Sequence, residues 1–315
     1  MEGVTLQSVV TFLKQDFTAT FQPTECTVRS YSHDTGSGPI LVMVHGFPET
    51  AYMWRHLVPI LKDKVSMWIP ELPGYGISSL PPKADKRTVG NILMAAFHVV
   101  FGKTRPVIWC GHDRGGRIGH RLLVDNNPAH NIKAAILMDI VPTLEQWRAF
   151  ANPAAATAYY HWPFLATPMA PHLIELMGGY NYCKDNFDRI KGGNQLGVDL
   201  LKSDDAIDHY CHVQSKPETI SGYCADYAAG AGEDVKEQEI DQKNSKKVKA
   251  PLMIIYSLGN LGRIHDVESV WRDWVDRNAD FKCVGIGDGY GHFLPEECPH
   301  EVANLVEEWI NAYGE

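Results

Sequence analysis

The chain has 315 residues, of which 44% are hydrophobic and 21% are charged, so it has enough apolar material for one large folded domain and is not a disordered chain. Its 38 acidic residues outnumber the 29 basic ones, giving a formal net charge of −9 without a long basic stripe. Nucleic acid and anionic membrane surfaces are therefore not expected as partners.

The sequence predicts neither a secretory signal at the N-terminus nor a membrane span. The stretch MEGVTLQSVVTFLKQDF lacks the basic and apolar regions of a secretory signal, and no segment reaches the roughly 20 apolar residues of a membrane span. Seven scattered cysteines show no metal-ligand or redox spacing: Cys26, Cys110, Cys183, Cys211, Cys224, Cys283 and Cys298. We expect reduced thiols, no metal, no cofactor and a cytoplasmic enzyme.

The first half of the chain alternates between strand and helix patterns. The stretches FTATFQPT and CTVRSYS predict an initial β-hairpin, and four apolar, β-rich runs follow it: ILVMVHG, VSMWIPEL, PVIWCGHD and IKAAILMDI. Helical patterns at 50–62 and 89–103 lie between these runs. This alternation predicts an α/β fold, with a parallel sheet that has helices on both faces.

The pattern changes after residue 143. From 144 to about 245 the sequence has short helical patterns broken by Pro, Gly and Asn, and the strands PLMIIYS and FKCVGIG and the amphipathic helix EVANLVEEWINAY come after it. We therefore predict a core domain made of residues 1–140 and 250–315, with a helical cap at 141–249 inserted between them.

The stretch CGHDRGGRIGH at 110–120 follows a short apolar run and opens a helical pattern. Its Gly111-x-Asp113-x-Gly115 frame is that of a nucleophile elbow, a strand-to-helix turn that holds one side chain in a pocket. Taken alone, Asp113 could equally be a helix N-cap. Two further features favour the elbow: the His-Gly turn in VMVHGFPE, typical before an oxyanion-hole residue, and His292, in a loop after the last predicted strand.

On these motifs the chain resembles the α/β-hydrolase family and, within it, the haloacetate (fluoroacetate) dehalogenases. The shared segments are HGFPE at 45–49, GHDRGGRIGHR at 111–121, MDIVPT at 138–143, YYHWPFLA at 159–166, CADYAAGA at 224–231 and GHFLPEE at 291–297. The resemblance implies an α/β-hydrolase fold with a mostly parallel eight-stranded sheet, an inserted helical cap and a homodimer.

An aspartate at the elbow suits attack on saturated carbon, because its attack on an acyl group would give a high-energy anhydride. Displacement at saturated carbon leaves an alkyl ester on Asp113, which a water deprotonated by His292 can hydrolyse. We expect the backbone N–H groups of Phe47 and Arg114 to stabilise the oxyanion of that step. The sequence therefore predicts an alkyl halide or an epoxide as substrate.

Two carboxylates are candidates for the acid that orients His292. Asp139 ends the run IKAAILMDI and matches the acid of the resembled family in the MDIVPT segment. Asp266 follows PLMIIYS, where most α/β hydrolases have this residue. Either could instead be a helix cap or a surface carboxylate, and the resemblance favours Asp139.

Arg114 and Arg117 lie three residues apart at a helix start and therefore share a face. Guanidinium groups bind carboxylates in bidentate fashion, and the resemblance implies that this pair holds a substrate carboxylate. It also implies that His161, Trp162 and Tyr227 donate hydrogen bonds to the departing halide. The simpler alternatives are a surface ion pair for the arginines and a packing role for the aromatic residues of the cap.

The chain departs from the resembled family at two places. Ala228 follows Tyr227 where the family usually has Arg, and SLG at 257–259 replaces its usual Trp-Gly. Both places are expected near the pocket. We therefore expect these departures to affect the substrate size or the halide preference.

These features predict a hydrolytic dehalogenase that acts on short 2-haloacids such as haloacetate. The alternative is an epoxide hydrolase, in which cap tyrosines protonate the ring oxygen; the candidates are Tyr159, Tyr160, Tyr223 and Tyr227. That alternative leaves Arg114 and the His161-Trp162 pair unexplained. A third possibility is a non-catalytic ligand-binding protein of the same fold, against which the Asp113, His292 and Asp139 set argues.

Overall fold

The computed structural model describes residues 18–314, whose strands form one sheet. The strands are β1 Thr18–Pro23, β2 Thr27–His33, β3 Ile40–Val44, β4 Ser66–Pro70, β5 Val107–His112, β6 Ile132–Met138, β7 Leu252–Ser257 and β8 Phe281–Ile286. Their order is β1-β2-β4-β3-β5-β6-β7-β8. Strand β2 is antiparallel to both its neighbours, and every pair from β4 to β8 is parallel. The predicted hairpin and the mostly parallel eight-stranded sheet are confirmed.

The α-helices span Leu57–Leu61, Lys86–Phe101, Arg114–Asp125, Thr143–Ala149, Pro153–Ala158, His161–Leu165, Ala170–Met177, Gly179–Ile190, Gln195–Lys202, Ala206–Gln214, Pro217–Ala231, Glu233–Lys243, Val267–Arg272, Leu294–Glu297 and Pro299–Tyr313. Short 3-10 helices span Ala51–Arg55, Pro128–His130, Ser203–Asp205 and Leu261–Arg263. The helix predicted over 50–62 is therefore a 3-10 turn followed by a short α-helix. The helix predicted over 89–103 begins earlier, because the Asp85 side chain caps it by accepting from the Thr88 N–H.

Both faces of the sheet are buried. Successive residues of β3 alternate between two apolar clusters, with Val42 and Val44 in one and Leu41 and Met43 in the other. The helices Lys86–Phe101 and Arg114–Asp125 contribute to the first cluster, and Leu57–Leu61 and Pro299–Tyr313 contribute to the second. A sheet covered on both faces explains why the central strands are continuous apolar runs, and it confirms the predicted arrangement of helices.

Between β6 and β7 the described chain is helical from Thr143 to Lys243, apart from the turns that join the helices. This insert is the helical cap that the sequence predicts, although its limits at 141 and 249 stay a prediction. Within residues 18–314, no helix is long and apolar enough to cross a membrane. The seven cysteines are unpaired, and all but Cys283 are buried.

The elbow depends on close approach of backbone at Gly115, the second residue of the helix Arg114–Asp125, which we call the elbow helix. A Cβ atom added there would lie 2.2 Å from the carbonyl oxygen of Val44, far inside van der Waals contact. Only glycine allows β3 and the elbow helix to lie this close.

We predict that Gly115→Ala lowers the free energy of unfolding by about 1–3 kcal/mol, the usual cost of forcing extra volume into a filled site. Helix propensity alone would favour alanine by about 1 kcal/mol, so the sign of the change tests the clash. Denaturant unfolding measures it. The control is Gly193→Ala, where an added Cβ meets no atom within 4 Å and stability should change by less than about 0.5 kcal/mol. Unchanged or increased stability of Gly115→Ala would contradict this account of the elbow.

Candidate active site

Asp113 lies at the turn between β5 and the elbow helix. Its backbone has a conformation that residues other than glycine rarely adopt. Its φ and ψ are 43° and −110°. The neighbouring turn approaches it closely, since a Cβ added at Gly46 would lie 2.6 Å from the Asp113 Cβ. The next residue of that turn, Phe47, donates its backbone N–H to Asp113 Oδ2 at 3.1 Å. The structure thus brings the predicted nucleophile to one of the two N–H groups predicted for the oxyanion hole.

Asp113 is buried but is held as a carboxylate. Only 6% of its surface is exposed, and Arg117 Nε lies 3.8 Å from its Oδ1. Burial alone would raise the pKa of Asp113, but the charges of His292, Arg114 and Arg117 hold that pKa below its usual value. The elbow helix begins directly after Asp113, and its amino-terminal dipole also favours an anion there.

His292 and Asp139 are brought together. His292 Nδ1 lies 2.6 Å from Asp139 Oδ2, and Asp139 also accepts from the Ser257 N–H and the Asn260 side-chain amide, both at 2.8 Å. Because an ionised carboxylate only accepts hydrogen bonds, Nδ1 of His292 carries a proton and Nε2 is left as the basic atom. The other candidate acid, Asp266, is exposed and caps a helix by accepting from the Ser269 N–H at 3.2 Å.

A buried histidine holds the backbone of His292 in place. His112 Nε2 donates to the His292 carbonyl oxygen at 2.8 Å, and His112 Nδ1 lies 2.8 Å from Glu49 Oε2. Burial would lower the pKa of His112, but the adjacent Glu49 outweighs it and raises the pKa to about 9. Sequence reasoning assigned these two residues no role, although both lie in the quoted motifs HGFPE and GHDRGGR.

The two arginines predicted to bind a carboxylate are placed differently. Arg114 Nε donates to Asp226 Oδ2 at 2.5 Å, and Asp226 also accepts from the Tyr75 hydroxyl at 2.8 Å and from Lys86 Nζ. The Arg114 guanidinium lies 4.2 Å from the centre of the Tyr227 ring, and Arg114 is not among the residues that line the cavity next to Asp113. A buried acid from the cap therefore binds Nε of Arg114, while Nη1 has no hydrogen-bond partner within the described chain. A role for Arg114 in binding a substrate carboxylate stays a prediction.

Arg117 does line the cavity. Its Nη1 donates to the Val141 carbonyl oxygen at 2.7 Å, and its guanidinium lies 4.3 Å from the centre of the Trp162 ring. Burial lowers the pKa of Arg117 to about 10, although the charge of Asp113 opposes this change. The group remains a cation at neutral pH, within reach of both the nucleophile and any ligand.

The cavity next to Asp113 is small, about 20 Å³, which is room for about one water molecule. It contains the three predicted catalytic side chains and the three predicted halide donors; it is lined by Phe47, Asp113, Arg117, Asp139, Tyr159, His161, Trp162, Ile190, Tyr227, Asn260, Leu261 and His292. A site of this size excludes large ligands.

Arg189, which sequence reasoning missed, fixes the hydrogen on His161. Its Nη2 lies 3.0 Å from His161 Nδ1. Because a guanidinium only donates, Nδ1 must accept and the ring proton must be on Nε2. Burial and the nearby Arg189 charge hold the pKa of His161 well below its usual value, so the ring is neutral. Its surroundings, DNFDRIKGG, contain no motif that would have identified Arg189.

The two departures from the resembled family have separate consequences. Ala228 is exposed and does not line the cavity. In the 257–259 segment, Ser257 Oγ accepts from the Asn260 N–H at 2.9 Å and donates to the Tyr290 carbonyl oxygen at 2.7 Å. The segment therefore supports Asn260, a partner of Asp139, rather than filling the cavity itself.

The chain is similar to known proteins in both sequence and structure. A family model described as alpha/beta hydrolase fold matches residues 39–296. A fluoroacetate dehalogenase of Burkholderia sp is 29% identical over 296 residues, 88% of each chain. A soluble epoxide hydrolase of Corynebacterium sp. (strain C12) is 27% identical over 286 residues, 86% of this chain and 90% of that one.

Among solved structures, one assigned to the alpha/beta hydrolases, from Nostoc sp PCC 7120, superposes with a TM-score of 0.81 at 29% identity. That match covers 94% of this chain and 98% of the other. The family model spans most of the chain. The chain belongs to the alpha/beta hydrolase family.

Proposed function

We propose that the protein is a hydrolytic dehalogenase that acts on short 2-haloacids such as haloacetate. The observation that carries the proposal is that the buried carboxylate of Asp113 and the guanidinium of Arg117 line the same cavity of about 20 Å³. A substrate carboxylate paired with Arg117 has its halogen-bearing carbon one bond away, within reach of Asp113. The similarity to a fluoroacetate dehalogenase supports the same chemistry.

In the first step, Asp113 Oδ1 attacks the carbon that bears the halogen. The carbon–halogen bond breaks, both of its electrons leave with the halide, and an alkyl ester forms on Asp113. The Nε2–H of His161, the indole N–H of Trp162 and the hydroxyl of Tyr227 are the donors available to the halide, since all three side chains line the cavity. Oδ2 is not the attacking atom, because it accepts the Phe47 N–H.

In the second step, His292 Nε2 deprotonates a water that attacks the ester carbonyl carbon. The oxyanion develops on Oδ2, where the Phe47 N–H already donates and where the N–H of Arg114, at the start of the elbow helix, is the second donor. Collapse breaks the bond between the carbonyl carbon and Oδ1. The departing alkoxide takes the proton from His292, and Asp113 returns to a carboxylate by losing one proton to solvent.

The second candidate function is epoxide hydrolysis, and one observation favours it. Tyr159 and Tyr227 both line the cavity, and the Tyr159 hydroxyl has no hydrogen-bond partner within the described chain. Two phenols could protonate an epoxide oxygen while Asp113 opens the ring. A neutral epoxide, however, gains nothing from the positive charge of Arg117, which makes the haloacid the better match.

The division of roles between Asp113 and His292 predicts a trapped intermediate. His292→Gln should still form the ester, since alkylation needs no general base, but should not hydrolyse it. Intact-protein and peptide mass spectrometry after exposure to haloacetate should find one added carboxymethyl group on Asp113. The double variant with Asp113→Asn is the control and should gain no mass. An unmodified Asp113 in His292→Gln, alongside an active wild-type enzyme, would refute this order of steps.

The role of Arg117 predicts a preference for the acid over its neutral amide. Losing one charge-assisted hydrogen bond costs about 1.5–3 kcal/mol, so Arg117→Met should lower kcat/KM for haloacetate by about 10- to 100-fold. Activity on haloacetamide should stay roughly constant. The measurement is halide release by both enzymes from both substrates. Hydrolysis of a small neutral epoxide is measured in parallel. Equal wild-type rates on acid and amide would exclude the carboxylate interaction, and faster epoxide turnover would favour the second candidate.

A further inference from the structure

We propose that the anionic substrate reaches Asp113 through a second, larger cavity, in which Arg189 and Arg263 attract it. This cavity, called the vestibule here, has a volume of about 360 Å³ and lies between cap residues 154–190 and the core segment 259–264. The proposal rests on the proposed function, because it assumes that the substrate is an anion.

The vestibule adjoins the active-site cavity. Tyr159, Ile190 and Asn260 line both spaces, so these side chains separate a space of about 20 Å³ from one of about 360 Å³. Asn260 is also a hydrogen-bond partner of Asp139. A ligand that passes this partition from the vestibule arrives directly beside the proposed catalytic side chains.

The vestibule is positively charged, although the protein as a whole is not. Its lining includes Arg189 and Arg263 and no acidic residue. Within residues 18–314, neither arginine forms an ion pair, whereas the arginines close to Asp113 do: Arg114 with Asp226, and Arg117 with Asp113 itself. Two uncompensated cations therefore face one cavity in a chain with a net charge of −9.

The contacts of the two arginines explain why their charge stays uncompensated. Arg189 donates to neutral acceptors only, namely the Ala158 carbonyl oxygen at 2.7 Å, the Asn186 side-chain oxygen at 2.9 Å and His161 Nδ1 at 3.0 Å. Arg263 is exposed, at the end of the short 3-10 helix Leu261–Arg263.

Positive charge that lines a cleft raises the local concentration of anions and speeds their arrival, and the effect falls as salt screens it. Arg263, Arg189 and Arg117 would meet the substrate carboxylate in turn, from solvent to the nucleophile. A neutral analogue of the same size gains nothing from this series. The dependence of kcat/KM on substrate charge and on ionic strength therefore tests whether the vestibule attracts the substrate.

The test uses Arg263→Gln, because the Arg263 side chain contacts neither Asp113 nor His161 and its charge can be removed without altering the active-site cavity. The matched control is Arg277→Gln, an exposed arginine that forms no ion pair within the described chain and does not line the vestibule. For each enzyme, kcat/KM is measured on haloacetate and haloacetamide at ionic strengths of about 0.01 M and about 1 M, where the screening length is about 30 Å and about 3 Å.

At low ionic strength, Arg263→Gln should lower kcat/KM for haloacetate by about three- to tenfold, a share of the 10- to 1000-fold range typical of electrostatic attraction. The loss should nearly vanish at high ionic strength, and kcat/KM for haloacetamide should not change. Arg277→Gln should behave as the wild type on both substrates.

Each other outcome overturns the proposal in a recognisable way. Equal losses on acid and amide would mean that the substitution disturbs the site, and equal losses in Arg263→Gln and Arg277→Gln would mean that only overall charge matters. If the wild type turns over haloacetate and Arg263→Gln matches it at low salt, the vestibule proposal fails and the proposed function stands. A wild type inactive on haloacetate would overturn both.

Discussion

A carboxylate that is buried and yet ionised is the constraint around which the active site is built. Removing a charged group from water is costly unless hydrogen bonds and opposite charges replace the water. At Asp113 the replacements are the Phe47 N–H, the Arg117 guanidinium and the start of the elbow helix. Each also has a use in catalysis, because a nucleophile without a water shell is more reactive and the same donors can stabilise an oxyanion.

A second buried carboxylate ties the cap to the core directly behind the nucleophile. Asp226, on the cap helix Pro217–Ala231, accepts from Arg114 and Lys86, which both belong to core helices. Burial would raise the pKa of Asp226, but these two cations hold it far below its usual value. Breaking such a pair would leave an uncompensated buried charge, so the position of Tyr227, the next residue along, is fixed by electrostatics as well as by packing.

The sequence predicts the parts of the site that parallel strands position, and it misses those that only tertiary packing brings in. Asp113 and Asp139 come directly after β5 and β6, whose carboxyl ends lie at one edge of the sheet. The elbow pattern identifies Asp113, whereas the choice of Asp139 over Asp266 depends on the family resemblance. Asp226, the partner of Arg114, is 112 residues away, and no local pattern indicates that it would bind the guanidinium. Arg189 likewise reaches His161 from 28 residues along the chain, and its own surroundings contain no motif.

The most direct test of Asp113 as the nucleophile follows one oxygen atom through a single turnover. With enzyme in excess over haloacetate, in water labelled with oxygen-18, the hydroxyl oxygen of the product should be unlabelled because it comes from Asp113 Oδ1. The label should appear in the carboxylate of Asp113, where mass spectrometry of the peptide that contains it can find it. Labelled hydroxyacid from the first turnover, with Asp113 unlabelled, would mean that water attacks the substrate carbon directly and would contradict the proposed mechanism.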